Sequence, residues 1–216
     1  MSVSLHYWAV PPSSGLFQRL QTDRAFLTLM GSLFCYRGGI FHFFDGLSAA
    51  EREDILQDVI DRHQKFLGPE PMARCLIEGF REEVERTRLS YAGVEQRRCS
   101  LEKAGTFIEE RVVQALKDGR EDASAFVGKL LYGDQPHGAL KDREFDIEEF
   151  SSNPAYLSGN FVSQPLVKEG AQVLSAIDAE ANFINDTVWQ LQSFQRWRSV
   201  YMAAAVHDEA LCTGVC

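Results

Sequence analysis

The sequence lacks a surplus of positive charge, a long apolar run and the short motifs that announce a chemistry. Lys and Arg number 22 against 31 Asp and Glu, a formal net charge of −9 over 216 residues. Such a balance opposes binding to nucleic acid or anionic lipid unless the cations are strongly segregated. The densest basic cluster, Arg97–Arg98 with Arg86 and Arg88 upstream, is interleaved with Glu82, Glu83, Glu85 and Glu95. It reads as a solvated helix face, so no nucleic-acid partner is expected. No apolar run approaches the ~20 residues that span a bilayer. The opening stretch, Met-Ser-Val-Ser-Leu-His-Tyr-Trp, has neither the charged region nor the cleavage pattern of a signal peptide. No membrane association and a cytoplasmic location are therefore expected. The five cysteines are widely spaced, odd in number and without a Cys-x-x-Cys pair, which is the pattern of a reduced set. There is no Gly-x-x-x-x-Gly-Lys-Ser/Thr, Gly-x-Gly-x-x-Gly, Gly-x-Ser-x-Gly or His-Glu-x-x-His. No catalytic residue, metal or cofactor is assigned on sequence grounds.

What is present is an ordinary globular composition, 45% hydrophobic and 25% charged, ample for one core-bearing domain over residues 1–216. Val3, Leu5, Tyr7 and Ala9 alternate with Ser4, His6 and Trp8, a strand pattern ended by Pro11–Pro12. Apolar bulk on both faces puts that strand inside a sheet. Ser13 or Ser14 can cap a helix buried through Leu16, Phe17, Leu20 and Leu27. Ser32–Tyr36 and Ile40–Asp45 flank Gly38–Gly39 and suggest a hairpin, although the first run also suits the tail of the helix. Ser48 and Glu51 form a capping box that opens a helix with Ile55, Leu56, Val59, Ile60, His63 and Phe66 in step, as far as Gly68–Pro69. A second helix from about Pro71, buried through Met72, Leu76, Phe80 and Val84, stops before Gly93. The two read as a helical hairpin inserted at about 48–93.

A third helix is expected after Ser100, with Leu101, Ile108, Val112 and Leu116 inward. A short one capped by Asp122 follows, carrying Phe126, Val127, Leu130 and Leu131. Regularity is poor from Tyr132 to Val162, and structureless stretches of such length are uncommon and often functional. Ser163 is the expected N-cap of the next helix, with Pro165 in its first turn and Leu166, Gly170, Val173, Leu174 and Ile177 on one face. The next begins near Asn185 or Asp186, with Val188, Leu191, Phe194 or Gln195, Arg198 and Met202 in step. Ala210–Cys216 closes as a strand. These elements predict a helix-dominated α+β fold, with a small sheet that includes strands from both chain ends packed against a helical layer.

Three groups of side chains invite a chemical reading. Tyr132, Asp134, His137, Arg143, Asn153 and Tyr156 are polar or ring-bearing and loop-borne, the composition of a small-molecule site. The same residues also serve plain turn chemistry. His42, Asp45 and His63 hold the ligand types of a metal or general-base cluster, yet His42 and His63 sit in apolar patterns typical of core histidines. Cys212 and Cys216, with His207, need a turn at Gly214 to approach one ion, and read otherwise as small apolar residues of a strand. Trp189 and Trp197, eight apart, are expected near one helix face as core or partner surface.

Ser100-Leu-Glu-Lys103 opening a helix, then Leu130-Leu-Tyr-Gly133, then Leu166 to Ile177, resembles the second half of an uncharacterised bacterial family, domain of unknown function 1877. Gly105 stands where that family usually has Trp, and the acidic helical pair has the look of an insertion. The resemblance implies a bacterial α+β domain and carries over no catalytic residue. The functional expectation is a cytoplasmic module that binds another protein, in one version an acidic inhibitor or immunity-type partner. The alternative is an enzyme or small-molecule sensor using Tyr132–Tyr156.

Overall fold

The structure, a computed structural model, describes residues 5–23, 25, 29, 46–89, 98–101, 105–136, 160–183 and 187–215. In chain order the described elements are β1 (Leu5–Val10), α1 (Gly15–Thr22), α2 (Ala49–Arg62), α3 (Gln64–Leu67), α4 (Glu70–Leu89), β2 (Arg98–Ser100), α5 (Gly105–Leu116), α6 (Ala123–Tyr132), β3 (Gln135–Pro136), β4 (Asn160–Val162), α7 (Gln164–Ala176), α8 (Ala179–Asn182), α9 (Val188–Val206) and β5 (Ala210–Val215). The fold is helix-dominated α+β, with its one described sheet built partly from strands near both ends of the chain. By internal contacts the chain divides into two compact units, 1–12 with 93–136 and 160–216, and 13–92 with 137–159.

The first unit holds the sheet, in the order β2-β1-β5-β4-β3, antiparallel throughout. β1 lies inside the sheet, as its two apolar faces require. On one face Leu5, Tyr7 and Ala9 join Val162, Leu211 and the buried sides of α5, α6, α7 and α9 in one continuous core. On the other, Trp8, Val10, Phe161 and Cys212 are also buried. Asp208, in the short turn between α9 and β5, has a φ of 55° and swings the chain sharply toward the strand. α7 and α9 run against each other, and α7 approaches α6 and α9 closely at Gly170. A Cβ there would stand 2.8 Å from Leu130 and 2.9 Å from Tyr201, so any larger residue forces these side chains to shift.

The second unit contains α1 to α4. Ser14 accepts from the Phe17 N–H and caps α1, which packs on α4. The Ser48–Glu51 capping box is present, each side chain meeting the other's backbone N–H. Arg74 of α4 ties the pair together, reaching Glu53 of α2 at 2.6 Å and Glu70 of its own helix at 2.9 Å.

Several local expectations are corrected. The helix expected to continue to Gly68 breaks at His63, a buried residue between α2 and α3. In α4 the buried line is Ala73, Ile77, Phe80 and Val84, while Met72 is 59% exposed and Leu76 only half-buried. Ala73 continues the four–three–four spacing of that line, and Met72 stands about 100° away from it. α5 starts at Gly105, because Arg98–Ser100 forms strand β2 and Leu101 follows it into the core. In α9 the buried line is Phe194, Trp197, Tyr201 and Ala204. The expected inward residues Val188 and Met202 face out. Trp197 is fully buried and Trp189 44% exposed, so the two indoles do not share an environment. The stretch Ser32–Asp45, where a hairpin is expected, lies outside the described residues.

Candidate functional site

The C-terminus of α6 is where the most sequence-predicted site residues come into view. A helix leaves its last four carbonyls without intrahelical donors. Here each has a partner. Lys129 O accepts from the Gly133 N–H at 2.9 Å. Leu130 O accepts from the Tyr201 hydroxyl at 2.6 Å, and Leu131 O from the Tyr7 hydroxyl at 2.8 Å. Tyr132 O takes a longer bond, 3.4 Å, from the Thr213 hydroxyl. The donors arrive from α9, β1 and β5, so the end of α6 is fixed by three separate elements. Burial pushes the phenols of Tyr7 and Tyr201 well above the ordinary tyrosine value, so both hydroxyls stay protonated donors. Trp197 fills the space beside them, with ring centroids 6.3 Å from Tyr7 and 5.4 Å from Tyr201.

Beyond this cap the chain turns at Gly133, whose φ of 88° favours glycine. Asp134 follows. Its N–H donates to Phe161 O at 3.0 Å. Its carboxylate accepts from the Ser163 N–H at 2.7 Å and from the Ser163 hydroxyl at 2.6 Å. Ser163 does occupy the N-cap of α7, but its hydroxyl makes no capping bond within the helix. The expected local cap is replaced by a carboxylate 29 residues earlier in the chain. That carboxylate stands at the positive end of the helix dipole, where negative charge is favoured. With the β3–β4 pairing, the clasp holds the end of α6 beside the start of α7.

Tyr132 is 39% exposed and its hydroxyl donates to Glu109 of α5 at 3.3 Å. Partial burial, and then the Glu109 charge, raise its phenol above the ordinary value. Tyr132 and Asp134 are thus neighbours in sequence with separate tasks, one leaning on α5 and the other gripping the start of α7. His137, Arg143, Asn153 and Tyr156 lie outside the described residues. So do His42, Asp45 and Cys216. His63 is buried, and burial lowers its imidazole pKa below the ordinary value, with Arg62 adding to the effect. Cys212 is buried in β5 with its thiol pushed up to about 12 by burial, whereas His207 is exposed. Among the described residues no group of three or more His, Cys, Asp or Glu is placed to hold a metal ion. Among them, too, no helix is long and apolar enough to cross a membrane.

Sequence reasoning missed Tyr7, Tyr201, Thr213, Glu109 and Ser163 as the partners of this region. Tyr7 and Tyr201 carried a usable signal: each is a hydroxyl within an apolar pattern, which when buried needs an acceptor. The described arrangement does positional work. Both oxygens of Asp134 are engaged by Ser163, and the tyrosine hydroxyls are committed to main-chain carbonyls. No protein-family model, no curated protein and no solved structure matches this chain.

Proposed function

We propose that the protein is a cytoplasmic binding module whose partner is a basic protein, engaged through the acidic face of α2. The supporting observation is the placement of charge on that helix. Glu51, Glu53, Asp54, Asp58 and Asp61 are all exposed. Glu51, Asp54, Asp58 and Asp61 follow a three–four–three spacing, which puts them along one side. Of the neighbouring cations, Arg74 is drawn to Glu53 and Glu70, and Arg62 to Asp58. The stripe therefore keeps an excess of negative charge in a chain whose formal net charge is already −9. Such a surface steers a basic partner and weakens as salt rises. An acidic inhibitor or immunity-type protein is the specific version of this reading. The resemblance of Ser100–Lys103, Leu130–Gly133 and Leu166–Ile177 to the domain of unknown function 1877 family is compatible with it and adds no catalytic residue.

Native mass spectrometry of untagged protein from its own host, set beside the denatured mass, tests the proposal. A second polypeptide is expected, released as salt is raised and bound at least tenfold more weakly by the Asp54→Lys/Asp61→Lys variant. A co-purifying small molecule without a second polypeptide would overturn the reading. It would favour an enzyme or sensor built on Tyr132–Tyr156.

A further inference from the structure

The surface helices of a globular protein usually present an apolar stripe inward and a charged face outward. α9 departs from that rule. Its inward line is Phe194, Trp197, Tyr201 and Ala204. Its outward line, at 100° per residue, contains Val188, Gln192, Gln195, Ser199, Met202 and Val206, all within about 40° of one direction. None of the six is charged, and Val188, Met202 and Val206 are 70%, 45% and 80% exposed. Trp189, 44% exposed, borders the line at one end. The only charges on α9 are Arg196 and Arg198. Arg198 is half-buried, donates to Ile177 O at 3.3 Å and lies over the Phe194 ring.

The four–three–four–three–four spacing of the outward line, which any helix face shares, lets the line meet itself head to tail, with Val at both ends. Val188 and Val206 stand nine residues either side of Trp197, Gln192 and Met202 five, and Gln195 and Ser199 two. A twofold axis through that centre would lay α9 antiparallel on α9 of a second copy. Val188 of one copy would meet Val206 of the other, Met202 would meet Gln192, and Ser199 would meet Gln195. Val would face Val at both ends, and Met202 and Ser199 would face the flexible Gln192 and Gln195. An interface that pairs a patch with itself requires this kind of self-complementarity. The absence of charge matters as much, because two copies of a chain at −9 repel through most other faces. We infer that the outward face of α9 is a twofold self-association surface whose occupant is the same helix of a second copy. The inference is independent of the proposed function, which concerns α2.

The expected strength follows from size. The helix is about 27 Å long at 1.5 Å per residue. Two such faces in contact bury on the order of 1,000 Å² in total, the lower bound for a specific interface. The dimer should therefore be reversible and concentration-dependent. Its salt response should oppose that of a charged interface: screening relieves the repulsion between two −9 chains, and between the Arg196 side chains near the axis, so association should strengthen as salt rises.

Sedimentation velocity over a wide concentration range, at low and high salt, is the test. A monomer–dimer equilibrium is expected, with a dissociation constant that falls on raising salt. Ser199→Glu and Val206→Glu, both at exposed positions, should each raise that constant at least tenfold without changing the circular dichroism spectrum. Gln172→Glu, an equal charge at an exposed position of α7, should leave it unchanged. A chain that stays monomeric up to several hundred micromolar would overturn the inference. So would a dimer indifferent to both α9 variants, or one that dissociates as salt is added.

Discussion

Removing the Tyr201 hydroxyl should cost more stability than the loss of a single hydrogen bond suggests. In Tyr201→Phe the ring and its packing against Trp197 remain, but Leu130 O loses its donor at a fully buried position. Neither water nor the helix can replace that donor. The penalty is then the desolvation of an unmet carbonyl, about 1–3 kcal/mol, and not the roughly 1 kcal/mol of an exchanged bond. Tyr7→Phe does the same to Leu131 O. The two carbonyls are adjacent, so the double variant should lose about 2–5 kcal/mol, with some coupling between the sites. At a urea m-value of roughly 2 kcal/mol/M, each single variant moves the midpoint down by about 0.5–1.5 M. Tyr132→Phe is the internal control. Its hydroxyl is exposed to solvent beside Glu109, and its loss should cost under about 0.5 kcal/mol.

The same hydroxyls set an alkaline limit. Burial raises both phenol pKa values in the folded state above the value of about 10 they have when unfolded. A raised folded pKa means that stability is intact below pH ~10 and is lost as pH rises further, because only the unfolded chain releases these protons readily. The phenolate absorbance should therefore show two of the six tyrosines titrating only as the protein unfolds. The double Phe variant should lack that step. A midpoint for Tyr201→Phe no lower than that for Tyr132→Phe would refute the account of α6 given above.

Two further outcomes follow from the same region. Gly170→Ala would improve helix propensity by about 1 kcal/mol, but its methyl would collide with Leu130 and Tyr201, so a net loss of about 1–3 kcal/mol is expected in urea unfolding. Asp134→Ala removes the acceptor of two bonds to Ser163, whereas Ser163→Ala leaves the backbone bond in place. The first should therefore cost about 2–3 kcal/mol and the second about 1 kcal/mol, and hydrogen exchange should speed up more at the start of α7 in the first.

Much of this fold was legible in the sequence because its strongest signals are local and periodic. β1 was marked by alternation, α2 by its capping box, and α6 by Phe126, Val127, Leu130 and Leu131 in helical step with the Gly133 stop. The failures share a physical origin. β2 is three residues long, with Arg98 at its start, and owes its strand state to pairing with β1. Ser163 looked like a self-sufficient cap, and a carboxylate 29 residues away claims it instead. α9 is apolar on more than one side, so periodicity alone selected the line through Val188 and Met202, which faces solvent. In the candidate site, Tyr132 and Asp134 were found as residues, but their roles depend on Glu109, Thr213 and Ser163. No spacing rule connects those positions, since only the tertiary fold brings them together.

The central pairing of the sheet joins β1 to β5, from Leu5 opposite Val215 to Val10 opposite Ala210. On the ribosome, at roughly 5–20 residues per second, the first of these strands is made some 10–40 s before the second. Through that interval Tyr7 and Trp8 have no neighbouring strand β5 and no α9 to bury them. The helices of the second unit, held by contacts close in sequence, can form meanwhile. The sheet must wait for its last strand, and the time a chaperone would be needed is set by the length of chain between them.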